Sequence, residues 1–174
     1  GNLYVKYYPT RSATVQTINA HMKQLEIQNI KPNMIIVDYA DIIKPIGTFR
    51  EKRHSIGDNY ERLRELAGEF EIPVWTASQA NRSSLEEDII DASKVSEDYS
   101  KVMTSDFVMS ISRKVEDKIS NTARCHVIKN RFGVDGMTYP MMMNTNTGKF
   151  EIYESNTLSG KHQQSKMDNS EEYL

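Results

Sequence analysis

The 174 residues carry 22 Lys and Arg against 24 Asp and Glu, a formal charge of −2, with 38% apolar and 26% charged residues. That balance belongs to an ordinary folded domain and excludes a disordered or uniformly basic chain, while apolar runs such as 34–37 and 107–109 are far too short to span a bilayer. The one cysteine, Cys125, cannot form an internal disulfide and no charged-then-apolar leader opens the sequence, so a reducing cytoplasmic setting is expected.

Residues 3–8 (LYVKYY) are a β-prone run that Pro9 stops, because proline cannot donate to a ladder. Val15, Ile18, Met22 and Leu25 recur at helical spacing and predict an amphipathic helix to about Ile27, capped by Thr10 or Ser12. After the break at Pro32 and Asn33, Met34, Ile35, Ile36 and Val37 form an unbroken apolar run ending in Asp38, the pattern of a buried central strand in a parallel sheet. Residues 42–54 hold Pro45, Gly47 and the cations Lys44, Arg50, Lys52 and Arg53, which predicts a mobile basic loop. Tyr60, Leu63, Leu66, Ala67 and Phe70 then share one face of a second helix, and a strand follows Pro73 over 74–78.

Residues 79–93 read as a polar surface loop, followed by a short helix near 96–103 and a strand over 107–111. The segments 123–128, 137–143 and 150–153 read as strands, joined around Gly133 and Gly136 and by an Asn-Thr-Gly turn. From Glu154 the chain is polar, so 155–174 is expected to be a disordered tail behind a core of 1–154. The alternation of strands and helices predicts an α/β fold: a mainly parallel sheet flanked by helices and finished by antiparallel C-terminal strands. Ligands of such sheets lie beyond the carboxyl ends of the strands.

Four residues there suit phosphate chemistry. Asp38, rigidly held at a strand end, can bind the water shell of a nucleotide-bound Mg²⁺, although such an Asp serves equally as a turn cap. Gln79, at the end of the next strand, offers an amide to a phosphate oxygen or a water, or to solvent alone. Lys129 and Arg131 alternate along a strand end and so project together, as two cations facing a phosphoryl group or as a plain basic hairpin. Arg50, Lys52 and Arg53, with Lys44 and His54 nearby, suit a nucleic-acid backbone, though Glu51 dilutes the patch. A phosphate-cradling G-x-x-x-x-G-K-[ST] is absent: Gly148-Lys149 runs into Phe150, Gly160-Lys161 into His162, and neither has the earlier glycine. The four histidines, His21, His54, His126 and His162, have no metal-ligand spacing.

The order MIIVDY, helix, PVWTASQANRS, SEDY, SDFVMSISR, IKNRFG over residues 3–153 resembles the later motifs of the DnaB-like replicative helicases, and LYVKYYPT resembles those of T-even-type phages. The resemblance implies a partial RecA-like ATPase core from a hexameric ring that couples ATP hydrolysis, with Mg²⁺, to movement on single-stranded DNA in the host cytoplasm. It implies that Asp38 is the Walker B acid, that Gln79 senses the γ-phosphate, and that Lys129 and Arg131 reach the ATP site of a neighbouring identical subunit. Arg50, Lys52 and Arg53 would face the channel, as would the segment at Ser96 and Glu97; primase and a helicase loader would be partners. The family's phosphate-binding loop and catalytic Glu precede the equivalent of Leu3. These residues are therefore expected to be inactive alone, either as part of a longer parent (Gly1 suits a remnant of tag removal) or as a separately encoded half. A recombinase or KaiC-like ATPase, and a non-catalytic interaction domain for DNA or replication proteins, are the alternatives.

Overall fold

The computed structural model describes residues 1–80, 87, 89–92 and 99–171, the side chains of Lys52, Ser170 and Glu171 excepted. The chain divides into two units, Gly1–Ser78 and Gln79–Leu174.

In the first unit the run 3–8 makes no strand: Leu3, Val5 and Tyr7 are exposed. Strand propensity expresses packing against a paired neighbour, and no described strand lies beside this segment. Helix α1, Val15–Ile27, starts at Thr14 rather than at Thr10 or Ser12, because Thr14 and Thr17 form a reciprocal cap: each side-chain oxygen accepts from the other's backbone N–H at 3.2 Å. It stops where Asn29 turns left-handed (φ 59°), with Asn29 N–H on the Glu26 carbonyl and Ile30 N–H on the Leu25 carbonyl, both at 2.9 Å.

Strand β1, Ile35–Val37, pairs in parallel with β2, Val74–Thr76, Ile35 opposite Val74 and Val37 opposite Thr76. Ile35 is buried but Ile36 is 70% exposed, so β1 is covered on one face where the unbroken apolar run predicted two. A 3₁₀ turn, Ala40–Ile42, follows β1, and helix α2, Lys52–Phe70, links the two strands. The helix begins inside the segment expected to be loop, so Lys52, Arg53 and His54 form its first turn. Val15, Met22 and Leu25 of α1, Ile35, Ala40, and Ile56, Tyr60, Leu63 and Leu66 of α2 make one buried cluster.

The second unit carries helix α3, Ser100–Thr104, and strand β3, Phe107–Ser112. Helix α4, Val115–Ser120, follows, then strands β4, Thr122–Asn130, β5, Thr138–Asn144, and β6, Lys149–Ile152. The strands form an antiparallel sheet ordered β3-β4-β5-β6. The α/β class stands, but among the described residues the one parallel ladder is β1 with β2, and the other three ladders are antiparallel, so a mainly parallel sheet is corrected. Asn144 accepts from the Asn146 and Thr147 amides at 3.0 and 3.2 Å, which closes the expected β5–β6 turn. Between β3 and β4 the register slips: Val108 faces Lys129, but Met109 faces Val127, leaving Ile128 as a bulge.

Two features escape the sequence patterns. Helix α4 is held by a buried polar knot. Asp117, 1% exposed, accepts from Arg124 Nη1 at 2.6 Å, Thr122 Oγ1 at 2.7 Å and the Lys114 amide at 2.7 Å. Helix α5, Leu158–Glu171, occupies most of the segment expected to be disordered. Thr157 caps it by accepting from the Gly160 amide at 3.0 Å, Gln163 donates to the Met141 carbonyl at 2.9 Å, and Met167 is buried. Two anchors four residues apart hold a helix that is mostly polar elsewhere. Gly160 is the point of closest approach: a Cβ there would lie 1.9 Å from the Glu154 carbonyl oxygen.

Asp117→Ala strands the buried Arg124 charge and is expected to lower stability by about 3 kcal/mol, read from the urea midpoint by circular dichroism. An unchanged midpoint would show that the knot adds nothing to stability. Gly160→Ala is expected to free α5, seen as faster amide exchange across 158–171; unaltered protection would mean the backbone shifts to accept the methyl.

Candidate functional site

The site is built from the turn that ends β1. Asp38 is the first residue past the strand, and its side chain is exposed. Among the described residues it has no hydrogen-bond partner, so it does not act as the turn's cap. Thr76, at the end of β2, does that instead. Its hydroxyl donates to the Val37 carbonyl and accepts from the Ala40 amide, each at 2.9 Å, spanning the turn that carries Asp38. The peptide between Asp38 and Tyr39 is cis.

Beyond the turn, Asp41 receives Tyr60 Oη on one oxygen and Ser78 Oγ on the other, each at 3.1 Å. Burial, and then the charge of Asp41, push the Tyr60 phenol well above its usual range, so it remains a neutral donor. Asn59, 1% exposed, donates to the Ile43 carbonyl at 3.1 Å, and its buried Oδ1 has no partner among the described residues. Residues 37–43 are therefore fastened to β2 by Thr76, to the segment just past it by Ser78, and to α2 by Asn59 and Tyr60.

The basic segment leaves this fastened base. Arg50 is exposed before α2, Arg53 pairs with Glu51 at 2.6 Å, and His54 is exposed in the first turn. Cations at a helix N-terminus add to the positive end of its dipole, a field suited to a polyanion. The side chain of Lys52 lies outside the described residues, as does Glu97. Gln79 is exposed three positions past the end of β2.

In the second unit Lys129, near the end of β4, and Arg131, in the turn just past it, both reach the end of α3. Lys129 Nζ donates to the Val102 and Met103 carbonyls at 2.9 and 2.8 Å, and Arg131 reaches the same Met103 carbonyl at 3.4 Å. Arg131 also pairs with Asp106 at 2.8 Å. The sequence pointed to neither Thr76 nor Asp106, and the available signal was weak: a hydroxyl ending an apolar strand, and an acid that precedes one.

Among the described residues no three His, Cys, Asp or Glu side chains gather as a metal site. No helix among them is long and apolar enough to cross a membrane. The donor at the β1 exit is a single carboxylate, which fits an ion that keeps water and phosphate oxygens as its other ligands, as Mg²⁺ does.

Residues 2–152 match the family model described as "DnaB-like helicase C terminal domain". A DnaB-like replicative helicase of Enterobacteria phage T4 is 31% identical over 137 residues, covering 76% of this chain and 29% of the relative. The chain thus spans under a third of that curated relative's length. Among solved structures, an ATPase domain superposes with a TM-score of 0.71 at 19% identity, over 82% of this chain and 52% of the other. A DnaB-like replicative helicase, solved with its interactions with primase, superposes with a TM-score of 0.69 at 19% identity, over 82% and 36%. Those likenesses carry the fold, a RecA-like core, and the match across most of the sequence carries the family: this chain belongs to the DnaB-like helicase C-terminal domains.

Proposed function

We propose that this chain supplies the Walker B side of an ATP site, and the basic residues that reach a neighbouring site, in a ring helicase that moves on single-stranded DNA. The observation that carries the reading is the Thr76 bridge, which leaves Asp38 exposed, and unpaired among the described residues, at the carboxyl edge of a parallel pair, where nucleotides of α/β sheets lie. Asp38 would hold the Mg²⁺ of ATP, which when bound neutralises charge on the phosphates. Gln79, carried just beyond β2, would contact the γ-phosphate or its water. Loss of that contact would pull on β2, whose end is tied through Thr76 and Ser78 to the turn bearing Asp38 and the base of the basic segment.

Arg50, Lys52 and Arg53 would contact the DNA backbone, with Glu97 in a second contact segment. Lys129 and Arg131 would stabilise the transferring phosphoryl group across a subunit boundary. Identical subunits, primase and a loader are the proposed partners. Within these 174 residues no G-x-x-x-x-G-K-[ST] cradles the phosphates, so the loop must come from elsewhere in the assembly.

A fluorescent ATP analogue with Mg²⁺ is expected not to bind these 174 residues alone. Saturable binding abolished by Asp38→Ala would show that the chain builds a complete site and would overturn the shared-site reading. In the assembled ring, Asp38→Ala is expected to abolish ATP turnover. Thr76→Val keeps the shape and removes the bridge, and is expected to lower turnover roughly tenfold or more through misplacement of Asp38, with Thr76→Ser restoring it. Full turnover in Asp38→Ala would remove the nucleotide assignment.

A further inference from the structure

Helix α3 is five residues long, and its last carbonyls have no intrahelical donor to receive. Lys101 O is taken by the Ser105 amide at 3.2 Å and the Ser105 hydroxyl at 2.7 Å. Val102 O and Met103 O are taken by Lys129, at 2.9 and 2.8 Å. Asp106 follows directly, at the entry to β3, and faces the far end of β4 because the two strands are antiparallel. It meets Arg131 twice: its carbonyl accepts the Arg131 amide at 2.9 Å, and its carboxylate accepts Nη1 at 2.8 Å. The turn beyond is fixed independently by Asn130, whose oxygen accepts from the Phe132 amide at 3.0 Å and whose amide donates to the Val134 carbonyl at 3.1 Å. Arg131 is thus held at its backbone and along one edge of its guanidinium, while the side chain stays 46% exposed.

A guanidinium has five N–H donors in a rigid fork. Asp106 uses Nη1 and the Met103 carbonyl lies near Nη2, whereas Nε–H has no partner among the described residues. An exposed ion pair of this kind adds little stability. What it supplies is orientation: a long side chain that would otherwise sample many rotamers is committed to one, with donors left over for a further anion. We propose that Asp106 is the positioning residue of Arg131, fixing the direction in which the guanidinium is presented to the phosphoryl group of a neighbouring subunit. The inference rests on the cross-subunit role proposed for Arg131 above.

The test measures single-stranded-DNA-stimulated ATP turnover by the assembled ring and Arg131 side-chain NMR of the 174-residue chain, in Asp106→Asn, Asp106→Glu and Arg131→Ala. Asp106→Asn keeps the size and an acceptor oxygen but removes the charge. It is expected to lower kcat roughly tenfold with KM for ATP unchanged, Asp106→Glu recovering part of the loss. Arg131→Ala is expected to lower kcat by about a thousandfold or more. In Asp106→Asn the Arg131 Nε–H resonance is expected to shift and its motion to increase at an unchanged urea midpoint, which separates lost orientation from lost folding. Inactive Arg131→Ala beside fully active Asp106→Asn would overturn the positioning role and leave the cross-subunit role intact. Full activity in Arg131→Ala would overturn the cross-subunit role, and this inference with it. A static Arg131 resonance in both Asp106 variants would also overturn it.

Discussion

A strand that stops must satisfy the backbone groups it releases, and at the end of β1 one hydroxyl satisfies two of them. Thr76 takes the Ala40 amide and gives its proton to the Val37 carbonyl, so the turn is closed from the neighbouring strand. Had Asp38 capped its own turn, its carboxylate would be occupied. Because β2 performs the capping, the acid is left exposed. The same bridge ties the two strands beyond the last ladder residue, so the exit of β1 and the exit of β2 are one mechanical unit.

That arrangement recurs on a smaller scale through the chain. Lys129 closes α3, Thr157 opens α5, and Asp117 closes the entry to α4, each by giving backbone groups a partner that helix or strand geometry leaves out. The short elements of the second unit bury little apolar surface of their own, and polar side chains define where they begin and end. Asp117 is the extreme case, a carboxylate withdrawn from water and met by three donors.

The two long amphipathic helices and the C-terminal strands were legible because their side chains repeat at 3.6 or 2 residues, as with Met22 and Leu25 or Ala123 and Cys125. The positions of Asp38, Lys129 and Arg131 at or just past strand ends were legible from the apolar runs that precede them. The strand at 3–8 was misread because propensity says nothing about whether a partner is present. The tail was misread because α5 is fastened by Gln163, Met167 and a threonine cap, with no apolar stripe to betray it. The Thr76 bridge and the Asp106–Arg131 pair join residues far apart in sequence, such as Thr76 with Val37, which no local pattern contains.

The bulge at Ile128 decides what the end of β4 can do. Cys125 and Val127 line an apolar hollow with Phe107, Met109 and Tyr139; by strict alternation Lys129 would be next, yet the hollow's next β4 residue is Asn130. The extra residue reverses the phase of the strand, turning the amide inward and sending the ammonium to the α3 carbonyls. The destination of the cation is a matter of parity: a chain shortened by one residue there would keep every charge and every fold element, and drive Lys129 into grease.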